Sequence, residues 1–342
     1  MSRSGVEDKP PWSAVPSEAK ERVAAVLGSR VVSGNRVWGG YGPSPTYRLR
    51  LENGQKAFFK AVWQGSNEFQ LRAHDRELKV YRDLRSVIQG WSPVFIAEFD
   101  LADWRVMLLE DLGRQSAPPW TLAGVRAAVH GLAEFHESTS EVPLPGWLRP
   151  LSDVIGPQHI LWTRPAGHVD YDRLCVAAGV RAGEARQWLE RHLEKLTAEV
   201  VGYYGRSGRR SLLHMDVRSD NLRLVEGALK LFDWPHVAVG GPEFDVVGFA
   251  QSVEVDKGPQ ASQVFEMYRR RFHLEEEAVT GAVAAISGFF ANQVWQPAIP
   301  LLPRLRAFQV AQLRVTLAWT AERLGLPRPD WVSSIEPTEY FR

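Results

Sequence analysis

The sequence predicts an α+β fold of two unequal lobes, a small antiparallel-sheet lobe followed by a larger, mainly helical one. Three observations carry this. Apolar residues alternate with polar ones in the first hundred or so residues, they recur at helical period from Gly113 onward, and two short β-like runs interrupt the helices at 222–225 and 229–232. A length of 342 residues, about two domains at roughly 150 residues each, accommodates both lobes. The division is placed at 1–112 and 113–342.

In the first lobe, Thr46-Tyr-Arg-Leu-Arg-Leu51 has the two-residue period of a half-buried strand. Asn53-Gly54 follows as a hairpin signal, with both turn positions expected at positive φ, and 57–63 is the returning strand. Runs at 94–99 and 106–110 complete the sheet, and 68–84 reads as a helix with Leu71, Leu78 and Tyr81 on one side. In the second lobe four apolar stripes mark helices. They are Leu122 to His136, Leu189 to Val200, Val279 to Val294, and Val310 to Leu324, the last stopped by Gly325 and Pro327. The β-like runs lie between the second and third stripes, separated by Glu226-Gly227, and 142–167, rich in Pro, Gly and Trp, reads as irregular.

Composition narrows the function. Hydrophobic residues at 44% exclude a mostly disordered chain. Forty-one Lys and Arg against 40 Asp and Glu leave no global field for nucleic acid or an anionic membrane, so neither is an expected partner. With one cysteine, Cys175, there is no intramolecular disulfide and no Cys-x-x-Cys metal site. The first residues hold no apolar stretch resembling a signal peptide. The uncharged run 278–303 contains Asn292, Gln293, Gln296 and three prolines, which suits a buried helix and loop rather than a membrane span. A cytoplasmic protein is expected; oligomeric state is not legible.

The most informative segment is Leu213-His-Met-Asp-Val-Arg-Ser-Asp-Asn-Leu222, followed by Leu231-Phe-Asp-Trp234. Phosphoryl transfer asks little covalent help of a protein; it needs an acceptor hydroxyl aimed in line and metal ions against the phosphate oxygens. His-x-Asp-x-x-x-x-Asn, then a strand pair and a further Asp, supplies these parts. In that reading Asp216 orients and deprotonates the hydroxyl, and Asn221 and Asp233 hold Mg²⁺, whose preference for hard oxygen ligands they meet.

These segments resemble the catalytic and metal-binding motifs of the aminoglycoside phosphotransferase and choline kinase-like family, relatives of the protein kinases. The family commonly reads His-Gly-Asp-x-x-x-x-Asn and then Ile-Asp-Trp/Phe, matched by His214 to Asn221 and by Phe232-Asp233-Trp234. Its Gly-x-Pro-x-x-Asp step appears within Gly240-Gly241-Pro242-Glu243-Phe244-Asp245, and Leu132-Ala-Glu-Phe-His136 resembles its Leu-Ala-x-Leu-His helix. The resemblance runs from about Gly39 to about Ala250 and implies a bilobal protein-kinase-like fold that binds ATP or GTP with Mg²⁺ and phosphorylates a hydroxyl of a small molecule. It further implies that Lys60 pairs with the α- and β-phosphates and that a helix carboxylate, Glu77 or else Glu68, holds Lys60. Gly40, Gly42 and Ser44 fall in a glycine-rich element over the phosphates, and Leu109-Glu110-Asp111-Leu112 forms the hinge against adenine, with Glu110 and Leu112 in contact with it.

The departures bear on the acceptor. Met215 replaces the family's usual glycine, and Arg218-Ser219-Asp220 replaces His-Pro-Gly. No Asp-Phe-Gly or Ala-Pro-Glu signature marks a protein-kinase activation segment, which argues against a protein kinase. A nucleotide-binding pseudokinase is the alternative from another class; it would lack the lysine, the base or a metal ligand, and this chain retains them. His214 and Asp245 read as structural anchors, and Trp295 is the best sugar-stacking candidate among 13 tryptophans. From Gly241 to Arg342 there are 12 acidic and 10 basic residues, too balanced for a pocket built around a polycation. A neutral or weakly charged acceptor is expected: a sugar, amino alcohol, nucleoside or hydroxyl-bearing metabolite or antibiotic.

Overall fold

In the first lobe, strand alternation decides which side chains face the helix above the sheet and which face the cleft. A computed structural model describes residues 9–38, 44–63, 65–140, 142–206, 208–299 and 302–337, so Gly40 and Gly42 lie outside the described residues. Strands β1 (Val31–Arg36), β2 (Thr46–Leu51), β3 (Lys56–Val62), β4 (Phe95–Leu101) and β5 (Trp104–Glu110) form an antiparallel sheet in the order β1-β2-β3-β5-β4. Tyr47, Leu49, Ala57, Phe59 and Ala61 turn to one face, where they bury Val15 together with Ala19 and Val23 of α1 (Ser17–Leu27). Phe58 and Lys60, one residue out of phase, therefore point to the other face.

Helix α2 (Glu68–Asp83) crosses that second face. Asn67 starts it with a capping box: its side chain accepts from Gln70 N at 2.9 Å while Gln70 Oε1 accepts from Asn67 N at 3.0 Å. A single turn, α3 (Arg85–Ile88), leads to β4.

The larger lobe contains α4 (Leu122–Thr139), α5 (Leu151–Val154), α6 (Val169–Ala177), α7 (Ala182–Gly205), α8 (Glu243–Val255), α9 (Ala261–Arg269), α10 (Glu276–Ala291) and α11 (Leu305–Leu324). Helix α10 is buried almost all round, packing on α7, α8 and α11, which explains its uncharged sequence. Strand β6 (Ser211–Leu213) pairs with β9 (Ala238–Gly240), and β7 (Leu222–Val225) with β8 (Ala228–Leu231). Trp162, Trp234, Phe135, Phe249 and Tyr268 are fully buried in this core, each contributing about 2–3 kcal/mol through removal from water. Trp162 also ties the irregular stretch 142–167 to α10, its indole donating to Ser287 Oγ at 2.9 Å.

Helices α6, α8 and α9 and strands β6 and β9 carried no sequence expectation, and three further features differ from it. Helix α1 and strand β1 follow no clear period: α1 buries only Ala19 and Val23, and β1 is an edge strand with no alternation of burial. At Asn53-Gly54 only Gly54 takes positive φ, +86°, and Leu51 accepts from Gly54 N at 3.1 Å, so the hairpin closes through a longer loop. The turn with both central residues at positive φ is Glu226-Gly227, at +52° and +86°. Among the described residues no helix is long and apolar enough to cross a membrane.

Candidate active site

Three anchors hold the loop that leaves β6. Asp245, at the start of α8, accepts from the His214 amide at 2.6 Å and the Met215 amide at 2.7 Å. His136 of α4 reaches the same carboxylate, Nε2 to Oδ2 at 3.4 Å, while its Nδ1 meets the Tyr268 hydroxyl at 2.7 Å. Toward the carboxylate, which accepts, Nε2 is the donor. His214 closes the loop from inside, Nε2 to the Phe232 carbonyl at 3.0 Å and Nδ1 accepting from Asp216 N at 3.3 Å. Burial pushes the His214 imidazole down, so it stays neutral, as this one-donor, one-acceptor arrangement requires.

These bonds force unusual backbone. Met215 sits at φ +70° and Asp233 at φ +66°, in the left-handed region that costs a non-glycine residue of order 1–3 kcal/mol. The common glycine of the motif is thus a conformational preference that this chain meets with Met215.

The side chains converge on a cavity of about 720 Å³ between the lobes. On its floor, Asn221 Nδ2 donates to Asp216 Oδ2 at 2.7 Å and to the Asp216 carbonyl at 3.0 Å. Arg218 Nε lies 3.1 Å from Asp216 Oδ1 and 3.1 Å from Asp220 Oδ1. Burial pushes the Asp220 carboxyl up to about 6 against the opposing charge of Arg218. The β7–β8 hairpin then delivers Asp233, with Phe232 N donating to the Asn221 carbonyl at 3.0 Å.

From above, Lys60 Nζ bridges Glu77 Oε2 at 2.5 Å and Asp233 Oδ1 at 2.8 Å. Burial alone would lower the lysine and raise both acids. The two carboxylates instead hold Lys60 above its ordinary range, and Lys60 holds Asp233 down at about 2. Glu77 is pushed up by burial, with Lys60 opposing. Glu68 lies on the exposed side of α2 and pairs with Arg72 at 2.6 Å.

At the hinge, Leu109 to Leu112 line the cavity. Glu110 Oε2 accepts from Val94 N at 3.1 Å, and Asp111 pairs with Arg48 at 2.8 Å. Leu112 makes no backbone hydrogen bond among the described residues, which leaves its main chain open to a ligand. Ser44 lines the same cavity and accepts from Gln70 Nε2 at 3.4 Å.

Several lining residues carried no sequence motif. His74 is 2% exposed with neither ring nitrogen bonded, and burial, reinforced by Lys60 and Arg105, pushes it down to about 3. Its signal was helical phase, three residues before Glu77. Gln251, Gln293, Gln309 and Gln312 also line the cavity. Trp295 does not line the cavity; its ring packs 4.9 Å from the Arg173 guanidinium, so the stacking role falls away.

A family model described as the phosphotransferase enzyme family matches residues 33–279. The chain belongs to this family. It is a small-molecule kinase, a phosphotransferase with a hydroxyl acceptor. No curated protein matches it. Among solved structures, a spectinomycin phosphotransferase is 13% identical with a TM-score of 0.58, covering 93% of this chain and 96% of its own. A thermostable mutant of an aminoglycoside phosphotransferase is 15% identical at 0.53, covering 92% and 98%. A putative fructosamine-3-kinase from Thermobifida fusca is 18% identical at 0.51, covering 86% and 98%. At these identities the likeness is one of fold, and the fold is the kinase-like one.

Proposed function

We propose that this kinase transfers the γ-phosphate of ATP to a hydroxyl of a small molecule, with Asp216 as base and Asn221 and Asp233 as metal ligands. The observation that carries the reading is the Glu77–Lys60–Asp233 bridge standing over Asp216 and Asn221 in one cavity. The acceptor oxygen bonds to the γ-phosphorus, the bond to the β-phosphate oxygen breaks, ADP leaves, and Asp216 takes the hydroxyl proton. Lys60 serves the α- and β-phosphates, Glu77 positions Lys60, and Ser44 serves the phosphates. The hinge at Glu110 and Leu112 takes the purine. The lobes divide at 112/113.

The donor set suits Mg²⁺. Asn221 uses only its amide nitrogen on Asp216, leaving Oδ1 without a protein partner, and Asp233 keeps Oδ2 clear of Lys60. Among the described residues no three His, Cys, Asp or Glu side chains gather into a metal cluster, so nucleotide oxygens would complete the coordination. The ion would neutralise charge on the β- and γ-phosphates. The spectinomycin enzyme of the same fold was solved with ADP, which supports a nucleotide in this cleft.

Thermal melting with ATP or ADP, with and without Mg²⁺, tests this. A ligand at 100 times its Kd adds about 2.7 kcal/mol to native stability, so a clear rise in Tm is expected only when nucleotide and Mg²⁺ are both present. An unchanged Tm at saturating Mg·nucleotide would remove the assignment.

A further inference from the structure

The outer wall of the cavity carries a different chemistry from its floor. Helices α10 and α11, with the loop that joins them, present Phe289, Phe290 and Phe308 beside Gln293, Gln309 and Gln312. Among the described residues of these two helices, no ionisable side chain lines the cavity.

A cation lies directly behind this wall. Arg306 is 4% exposed, and its guanidinium donates to Gln309 Oε1 at 2.7 Å, Gln293 Oε1 at 3.4 Å, Gln296 Oε1 at 3.4 Å and the Pro297 carbonyl at 3.0 Å. Among the described residues no carboxylate comes within ion-pair distance of it. Two consequences follow from elementary chemistry. The oxygens of Gln293 and Gln309 are turned to Arg306, so each amide has its NH₂ group left to donate into the cavity. The charge of Arg306, matched only by neutral oxygens in poorly solvated surroundings, also makes the wall repel cations. Gln251 of α8, which also lines the cavity, donates to the Gly248 carbonyl at 2.9 Å and its Oε1 is buried without a partner, which supplies an acceptor.

The carboxylates that line the cavity are already engaged. Glu77 and Asp233 hold Lys60, Asp216 and Asp220 hold Arg218, and Asp111 holds Arg48. Glu110 and Asp245 accept from backbone amides. An ammonium group entering this space would compete with Lys60, Arg218 and Arg48 for these carboxylates and would approach Arg306.

We propose that the acceptor, on the kinase reading above, is an uncharged polyoxygenated alcohol with one apolar face. Its ether, carbonyl or hydroxyl oxygens accept from the amides of Gln293 and Gln309, its apolar face lies on Phe289, Phe290 and Phe308, and a hydroxyl reaches Asp216. Acceptors bearing ammonium groups are selected against by Arg306.

The test uses a matched pair of probes with the full-length protein and Mg·ADP present. Phenyl β-D-glucopyranoside is uncharged; its 2-amino-2-deoxy analogue differs by one ammonium group. Titration calorimetry is expected to show the uncharged glycoside binding about tenfold tighter or more, the effect of one like charge at close range in a partly buried site. Gln312→Glu, which adds an anion to the wall, should shrink or invert that ratio, and Arg306→Met should shrink it by removing the cation. Each ratio is taken within one variant, so a change in stability does not mimic the result. Equal or tighter binding of the amino analogue to the unaltered protein, no binding of the uncharged glycoside, or a ratio that neither substitution moves would overturn the proposal. Loss of the Mg·ADP melting shift would instead remove the proposed nucleotide and metal assignment, so the two failures are read from different ligands.

Discussion

The floor of the cleft holds charge in tight pairs, whereas the wall opposite faces it with amides and aromatic rings. On the floor, Lys60 bridges Glu77 and Asp233, and Arg218 bridges Asp216 and Asp220. On the wall Arg306 is withdrawn behind Gln293 and Gln309, and Arg218 of the floor reaches over the Phe308 ring at 5.4 Å. On the proposed function the floor serves a triphosphate, whose charge is the same whatever is phosphorylated. On the same proposal the wall serves the acceptor.

The largest effect that would break this division is on turnover. Asp216→Asn removes the proton acceptor while keeping the size of the side chain and an oxygen for Asn221. Loss of a general base costs typically 10²–10⁴-fold, about 3–5 kcal/mol of barrier. ADP release in the presence of a turned-over acceptor should fall by that factor, while the Mg·nucleotide melting shift persists. Turnover near that of the unaltered protein would take Asp216 out of the base role and leave the floor as a nucleotide site alone.

How much of this was legible follows from how locally each part is written. His214 to Asn221 and Asp233 lie within one loop and one hairpin, so spacing alone brings them together. The period of β3 placed Lys60 opposite Phe59 and Ala61, and hence in the cleft. The choice between Glu77 and Glu68 was open in the sequence, yet helical phase bears on it. Nine residues at about 100° each put the two on opposite faces of α2, with Gln70, His74 and Glu77 on the cleft side. The wall was not legible, because it depends on α10 and α11 packing together and on Arg306 orienting glutamines that no local pattern marks. Uncharged residues at 278–303 hinted at a neutral acceptor, but a buried helix gives the same signal. Trp295 misled because an aromatic ring near the right helix stacks on Arg173 instead.

A smaller effect should appear in stability. Lys60→Met leaves Glu77 buried without its cation, a change that costs about 3–5 kcal/mol when the stranded group must stay charged. Glu77 has an escape, because burial already pushes its carboxyl up. A native value above the unfolded one favours the native state at low pH, and that advantage is lost as pH rises through the native value. The cost of Lys60→Met should therefore be about 2–3 kcal/mol near pH 8 and shrink toward pH 5 as Glu77 protonates. Denaturant midpoints at the two pH values measure it. A pH-independent cost would mean that Glu77 is not the group stranded, and the bridge would lose its assigned role.

The smallest effect concerns Met215, where floor and wall meet. Its φ of +70° is held by two demands: the Asp245 carboxylate takes the amides of residues 214 and 215, and Asp216 must follow directly. Glycine meets that φ without strain, and relief there is worth about 1 kcal/mol. The Met215 side chain, half-buried against the larger core, contributes packing that glycine lacks, also about 1–2 kcal/mol. Met215→Gly should thus lie within about 1 kcal/mol of the unaltered protein, whereas Met215→Ile, β-branched at positive φ, should cost about 2 kcal/mol or more. Chemical denaturation of the two variants separates the terms. If isoleucine were tolerated as well as glycine, the left-handed turn would not constrain this position, and Met215 would be read as an acceptor-facing choice alone.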